Sequence, residues 1–213
     1  NGSPGSWSPD GKLLAFIRFG SGTSSDIWVF SLDKKIDEPF INSQGYDAWP
    51  EFSPDGKYLA YGSNITGRNE VYVTPYPGPA RGDRVSIQGG ISPVWSHDMD
   101  GLFYLEISQS PRARMMVAEI STEPSFRVLN RRILFDVWGL GMSGSPLRGY
   151  DILPDGQGFI APGYLFGGKA INYSDIPQDI LDGVATHDMR CLAWLERWLK
   201  QDKDRVLTPE LKR

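Results

Sequence analysis

Cysteine is almost absent from this 213-residue chain: Cys191 is the only one, so no internal disulfide framework exists. Histidine is scarce too, with only His97 and His187, on separate segments. A zinc site of usual nitrogen and sulfur composition is therefore not expected. No run of eighteen apolar residues occurs, so no helical membrane span is expected. Positive charge is not in excess; the formal net charge is −4, which argues against non-specific nucleic-acid binding. Protein-kinase motifs are missing: there is no glycine-rich loop before a strand lysine, no His-Arg-Asp and no Asp-Phe-Gly. The chain opens at Asn1 without Met, which suggests an excised or processed piece whose signal peptide would not be visible.

What is abundant is punctuation. The 24 glycines and 16 prolines suit many short strands joined by turns. The clearest unit is Phe52-Ser-Pro-Asp-Gly-Lys-Tyr-Leu-Ala-Tyr61. Ser53 suits turn position i, Pro54 presets φ at i+1, Asp55 tolerates the bridge region and Gly56 follows. Apolar residues on both sides make it a hairpin. The unit recurs at Trp7–Phe16, more loosely at Trp95–Tyr104, and again at Ile152–Ile160. Its Asp-Gly or equivalent aspartates fall at 10, 55, 100 and 155, spacings of about 45, 45 and 55 residues. A second marker keeps the same period: Ile27–Phe30, Val71–Thr74 and Met115–Ala118. Two markers in phase match four-stranded propeller blades.

These spacings predict blades at 1–44, 45–89, 90–147 and 148–175, followed by a tail at 176–213. Leu13–Ile17 is continuously apolar and reads as a strand covered on both faces. In the second blade, Ala48–Phe52, Lys57–Ser63 and Glu70–Thr74 read as the first three strands, with loop 64–69 between the last two. Val85–Ile87 reads as the outer strand after the prolines at 75, 77 and 79. The Gly/Ser-rich stretch 138–146 explains the lengthened third spacing. Asp188–Lys203 carries an apolar stripe (Met189, Leu192, Leu195, Leu199) and reads as a C-terminal α-helix.

The Ser-Pro-Asp-Gly-Lys turns and their apolar strands resemble the WD40-like, or PD40, repeats of TolB-type β-propellers. The stretch Tyr61–Val73, continuing to Gln88-Gly-Gly-Ile-Ser-Pro-Val-Trp95, resembles the propeller regions that bacteria append to serine/threonine protein kinases. The resemblance covers roughly residues 1–165 and implies an all-β propeller, of which about four blades are visible. Family members more often have six or so blades, which implies further blades, a small ring, or self-association to close it. The resemblance also implies a bacterial, periplasmic or extracytoplasmic setting.

The repeated aspartates are expected to bond their own turns rather than form a ring of ligands. Gly141–Ser145 misses the nucleophile elbow, and no strand-turn-helix follows. Prolyl-oligopeptidase-type enzymes carry similar repeats, but their triad lies on a separate domain for which no room remains after 165. The expectation is a non-catalytic binding or scaffold module without cofactor, holding a protein, peptide or small ligand at one mouth of the ring. The candidate contacts are Trp7, Trp49, Trp95 and Tyr150 at inner-strand ends, and Asn64, Arg68 and Asn69 in loop 64–69. The alternative is a calcium-dependent propeller hydrolase such as a lactonase, since oxygen ligands need no motif. Arg112, Arg114, Arg131 and Arg132 read as solvated loop charge.

Overall fold

In the computed structural model, the residues described are 2–20, 24–78, 82–109, 112–138, 149–153, 158–161 and 164–166. The chain divides into two compact units, Asn1–Arg148 and Gly149–Arg213. The first unit holds three four-stranded antiparallel sheets. Blade 1 comprises β1 (Gly2–Trp7), β2 (Leu13–Phe19), β3 (Ser25–Ser31) and β4 (Ile36–Ile41). Blade 2 comprises β5 (Asp47–Phe52), β6 (Tyr58–Ser63), β7 (Glu70–Pro75) and β8 (Asp83–Arg84). Blade 3 comprises β9 (Ile91–Trp95), β10 (Gly101–Gln109), β11 (Arg112–Ser121) and β12 (Arg127–Trp138). In the second unit, β13 (Asp151–Ile152), β14 (Phe159–Ala161) and β15 (Tyr164–Phe166) form a three-stranded sheet. The expected C-terminal helix and the turn at Asp155 lie outside the described residues.

Each sheet is a plain meander, so connections alternate between two ends. The Asp-Gly turns and the β3–β4 type connections lie at one end. The β2–β3 type connections and the blade-to-blade connections lie at the other. Each first strand is the inner one: β5 packs against β1, β2 and β3, and β9 packs against β5, β6 and β7. The core therefore lies between blades. Ala15, Ile27 and Val29 meet Phe52, Leu59, Tyr61 and Tyr72 across the first junction. Ala60, Val71 and Val73 meet Trp95, Leu102, Tyr104 and Met116 across the second. The outer strands are exposed and charged, as in Ile36-Asp-Glu-Pro, which blunts pairing with another chain.

The Asp-Gly turns are built as expected, with one addition. Gly56 N–H donates to Ser53 O at 2.9 Å, and Gly56 takes φ +71°. Asp55 Oδ1 accepts from Ser53 Oγ at 2.6 Å and from Lys57 N–H at 3.0 Å. Ser53 Oγ in turn accepts from Tyr58 N–H at 3.0 Å, closing the hairpin. Ser8, Asp10 and Leu13 repeat the arrangement. In the longer turn, Ser96 Oγ donates to Asp100 Oδ1 at 3.1 Å.

Two expectations need correction. The outer strand of blade 2 is Asp83–Arg84, not 85–87. Val85 and Ser86 instead turn inward, because Ser86 Oγ accepts from Val71 N–H at 2.8 Å and donates to buried Glu70. Coverage on both faces holds in blade 2, where Leu59 to Ser63 are all buried. Within Leu13–Ile17 of blade 1 only Ala15 and Ile17 are buried, while Leu14 and Phe16 on the opposite face are half-buried.

Candidate binding face

The inner strands carry a repeated irregularity near their first residues. Between Ala48 and Glu51 the pairing to β6 shifts register, and Trp49 takes φ +54°. Blade 3 shifts at the same place, opposite Ser92, which takes φ +53°. A non-glycine residue in this region costs about 1–3 kcal/mol and persists where its surroundings over-determine it. Here the determinant is visible: the Trp49 indole covers Gly62, where an added Cβ would sit 2.5 Å from Trp49 Cε3. Tyr46 meets Trp49 edge-on, with ring centroids 6.0 Å apart.

Loop 64–69 stands beside this bulge, and its polar residues hold the loop itself. Asn64 Oδ1 accepts from Tyr46 N–H at 2.6 Å, and Gly67 N–H donates to Asn64 O at 2.8 Å. Arg68 Nε donates to Glu70 Oε1 at 2.9 Å, and Arg68 also reaches Ile87 O at 2.8 Å. Glu70 is fully buried and also accepts from Gly89 N–H at 3.2 Å. Asn69 O accepts from Gly90 N–H at 2.8 Å, while its buried side-chain oxygen has no hydrogen-bond partner. These bonds clamp loop 64–69 onto connection 85–90. Phe19, Ile65 and Ile87 are exposed at this end, each from a different connection, alongside the polar Asn42, Gln44, Thr66 and Gln88.

Beneath the loops, Asp47 is fully buried at the start of β5. Its Oδ2 accepts from Ser43 N–H at 3.2 Å, and its Oδ1 has no hydrogen-bond partner. Ser25 Oγ donates to Asp47 O at 2.8 Å, which brings the neighbouring Asp26 alongside. Burial, and then the charge of Asp47, raise the Asp26 pKa above its ordinary value. Burial raises the Tyr61 hydroxyl pKa as well, with Asp47 adding to it. Sequence reasoning missed Asp26 and Asp47; nothing in their local pattern marks Asp47 as buried beside a partly exposed Asp26.

The expected aromatic contacts do not share one mouth. Trp49 lies at the loop end. Trp7 and Trp95 pair with Leu14 and Leu102 at the opposite, turn end of their strands. Trp95 is buried in the second junction, and Trp7 is exposed. Tyr150, in the second unit, is buried with its ring centroid 6.0 Å from Phe159. Of the basic residues, Arg114 pairs with buried Glu106, and Arg132 Nε lies 3.2 Å from Glu119. No cluster of three or more His, Cys, Asp or Glu suited to a metal occurs among the described residues. No helix among them is long and apolar enough to cross a membrane.

Four-stranded meanders stacked through their inner strands, with repeated Ser-Asp-Gly turns, define the first unit as a stack of β-propeller blades. The family model described as the TolB beta propeller domain, PD40, matches residues 1–135, and the chain belongs to that family. In fold it is similar to TolB from Acinetobacter baumannii, with TM-score 0.60 and 19% identity, over 78% of this chain and 39% of that one. A TolB-type protein of Agrobacterium tumefaciens gives TM-score 0.54 and 22% identity, over 65% of this chain and 50% of that one. A stretch of 67 residues is 37% identical to dipeptidyl-peptidase 5 of Porphyromonas gingivalis, covering 26% of this chain and 9% of the peptidase. The chain thus spans half or less of each of these relatives.

Proposed function

We propose that this chain is a non-catalytic binding or scaffold module that holds a protein or peptide partner on the loop end of its blades. The observation that carries this reading is the contrast within that end. Asn64, Arg68, Asn69 and Glu70 are engaged in fixing the connections, while Phe19, Ile65 and Ile87 project apolar side chains from them. Apolar groups on loops held by a rigid scaffold suit recognition of a partner surface. Net charge −4 disfavours nucleic acid as that partner. The family resemblance supports a periplasmic or extracytoplasmic setting, which fractionation of the producing cell tests. To test the binding reading, the chain is screened against an immobilised array of random dodecapeptides. Retained peptides should lose at least about tenfold in affinity to Ile65→Asp/Ile87→Asp, as expected when interface anchors are replaced by charge. Undiminished binding by that variant, or no retained peptide, removes the reading.

One observation favours a second reading, a propeller hydrolase using a divalent cation: the buried, half-satisfied Asp47 beside Asp26. Two carboxylates with main-chain carbonyls nearby are chemically suited to calcium, whose ligands are all oxygen. Bound there, the ion would supply Lewis acidity. Calcium should then raise the melting temperature of the wild type and leave Asp47→Asn unmoved. An equal response of the two proteins counts against this reading.

A further inference from the structure

Charge is divided unevenly between the two ends of the blades. The turn-end connections carry Asp10 and Lys12, Asp33 to Lys35, Asp55 and Lys57, and Asp98 with Asp100. At the loop end, connections 42–46, 64–69 and 85–90 hold a single charged side chain, Arg68. Its charge is already matched: Nε donates to Glu70 Oε1 at 2.9 Å, and a terminal nitrogen donates to Ile87 O at 2.8 Å. In place of charge these connections carry the carboxamides Asn42, Gln44, Asn64, Asn69 and Gln88. Turns 8–12, 32–35, 53–57 and 96–100 carry none. Asn64 fixes the scaffold through Tyr46 N–H, whereas Asn42, Gln44 and Gln88 are exposed. The three connections adjoin. An added Cβ at Gly45 would lie 2.7 Å from Asn64 Oδ1 and 2.9 Å from Ile65 N, and Arg68 ties loop 64–69 to Ile87. A carboxamide offers N–H donors and a carbonyl acceptor, the same groups that a peptide bond presents.

We propose that this surface takes an uncharged, extended peptide segment of the partner. Asn42, Gln44 and Gln88 bond its main-chain amides, and its apolar side chains sit on Ile65 and Ile87. The proposal rests on the reading that a peptide or protein is held at this end, and adds which kind. An extended segment presents main-chain amides free to bond, whereas a helix pairs its own. An acidic or basic segment laid here would give up hydration and meet no unmatched counter-charge, because Arg68 already faces Glu70. A neutral oligosaccharide shares the hydrogen-bonding groups but stacks on open aromatic faces. Here Trp49 is buried, and half-buried Tyr46 meets it edge-on.

The test offers the 213-residue chain three synthetic dodecapeptide pools of equal apolar content: uncharged, Asp/Glu-bearing and Lys/Arg-bearing. The uncharged pool should supply the retained peptides. The tightest of them, followed by fluorescence anisotropy, should lose at least about tenfold in affinity when two central residues become Asp or Lys. Its affinity should change by about twofold or less between roughly 50 and 500 mM sodium chloride, since no ion pair is there to be screened. Methylating its central main-chain nitrogens, or replacing Gln44→Leu/Gln88→Leu, should each weaken binding about fivefold. Both glutamines are exposed, and circular dichroism checks that the variant is folded. Retention from a charged pool, or an affinity that falls tenfold with salt, overturns the proposal and leaves peptide binding at this end standing. Indifference to both the N-methylation and the glutamine replacements overturns it in the same way. Displacement of the peptide by cellohexaose overturns it in favour of a glycan. Retention from no pool removes both the proposal and the reading on which it rests.

Discussion

Ser53 makes the residue-scale case, because its hydroxyl joins both halves of a turn that is otherwise held by an aspartate and a glycine. It donates to Asp55 and accepts from Tyr58 N–H while fully buried. Ser53→Ala leaves that N–H without its partner, and should cost about 1–3 kcal/mol in urea unfolding, the range for a buried donor left unsatisfied. Burial works to raise the Asp55 pKa, but bonds from Ser53 and Lys57 N–H outweigh it and the net shift is downward. Its contribution is therefore fully present above the ordinary value near 3.8 and is lost as pH falls through the lower folded value. Asp26 has the opposite sign. Its raised folded pKa gives a contribution present at low pH and lost as pH rises through the folded value. Melting curves from pH 3 to 7 should accordingly show Asp55→Asn losing the most relative to wild type at neutral pH. Asp26→Asn should gain there by about 1 kcal/mol or less, since the group is partly solvated.

At the scale of elements, two contacts decide how strands and connections meet. Gly62 on β6 leaves room for the Trp49 indole, and a Cβ there would lie 2.5 Å from the ring. Gly62→Ala should displace Trp49 and destabilise the blade by about 1–3 kcal/mol, the usual cost of overpacking. Near-ultraviolet circular dichroism would register the moved indole. The Arg68–Glu70 pair ties loop 64–69 to connection 85–90 through Ser86 and Gly89. Arg68 is half exposed, so Arg68→Ala should cost less than the loss of a fully buried pair, about 1–3 kcal/mol. The loss should concentrate in hydrogen exchange of residues 85–90 rather than in blade 1. Uniform deprotection would show that the pair supports the whole unit instead. The short outer strand of blade 2 was illegible for the same reason: a serine that bonds a buried carboxylate looks, in sequence, like a residue of an ordinary strand.

Across the three-blade unit, stability depends on junctions between sheets rather than on any sheet alone. Phe52 and Trp95 each close a junction from the inner strand, so replacing either should damage two blades at once. Trp95→Ala should cost about 3–5 kcal/mol, the range for removing a buried aromatic. Trp7→Ala in the same chain should cost much less, because half of Trp7 is already in water. Chemical unfolding of the two variants side by side checks this, and equal losses would mean that Trp7 is as enclosed in solution as Trp95.

The repeat was legible because turn chemistry is local: Pro54, Asp55 and Gly56 satisfy their conformational needs within four residues, whatever surrounds them. Strand identity and blade period followed from the same local signals, recurring in phase. Orientation across a bulge is not local. Trp49 and Trp95 look alike as aromatics near inner-strand ends, yet Trp49 lies within the register shift of its strand and Trp95 beyond it, at the turn end. Nor could spacing tell that Asp47 would be buried beside Asp26, or that Arg68 would face inward to Glu70, since those meetings join segments from different strands and blades. Sequence alone determined the architecture of each blade, because its turns bond themselves. Tertiary structure decided which side chains remain available, because burial and charge pairing depend on the neighbouring blade.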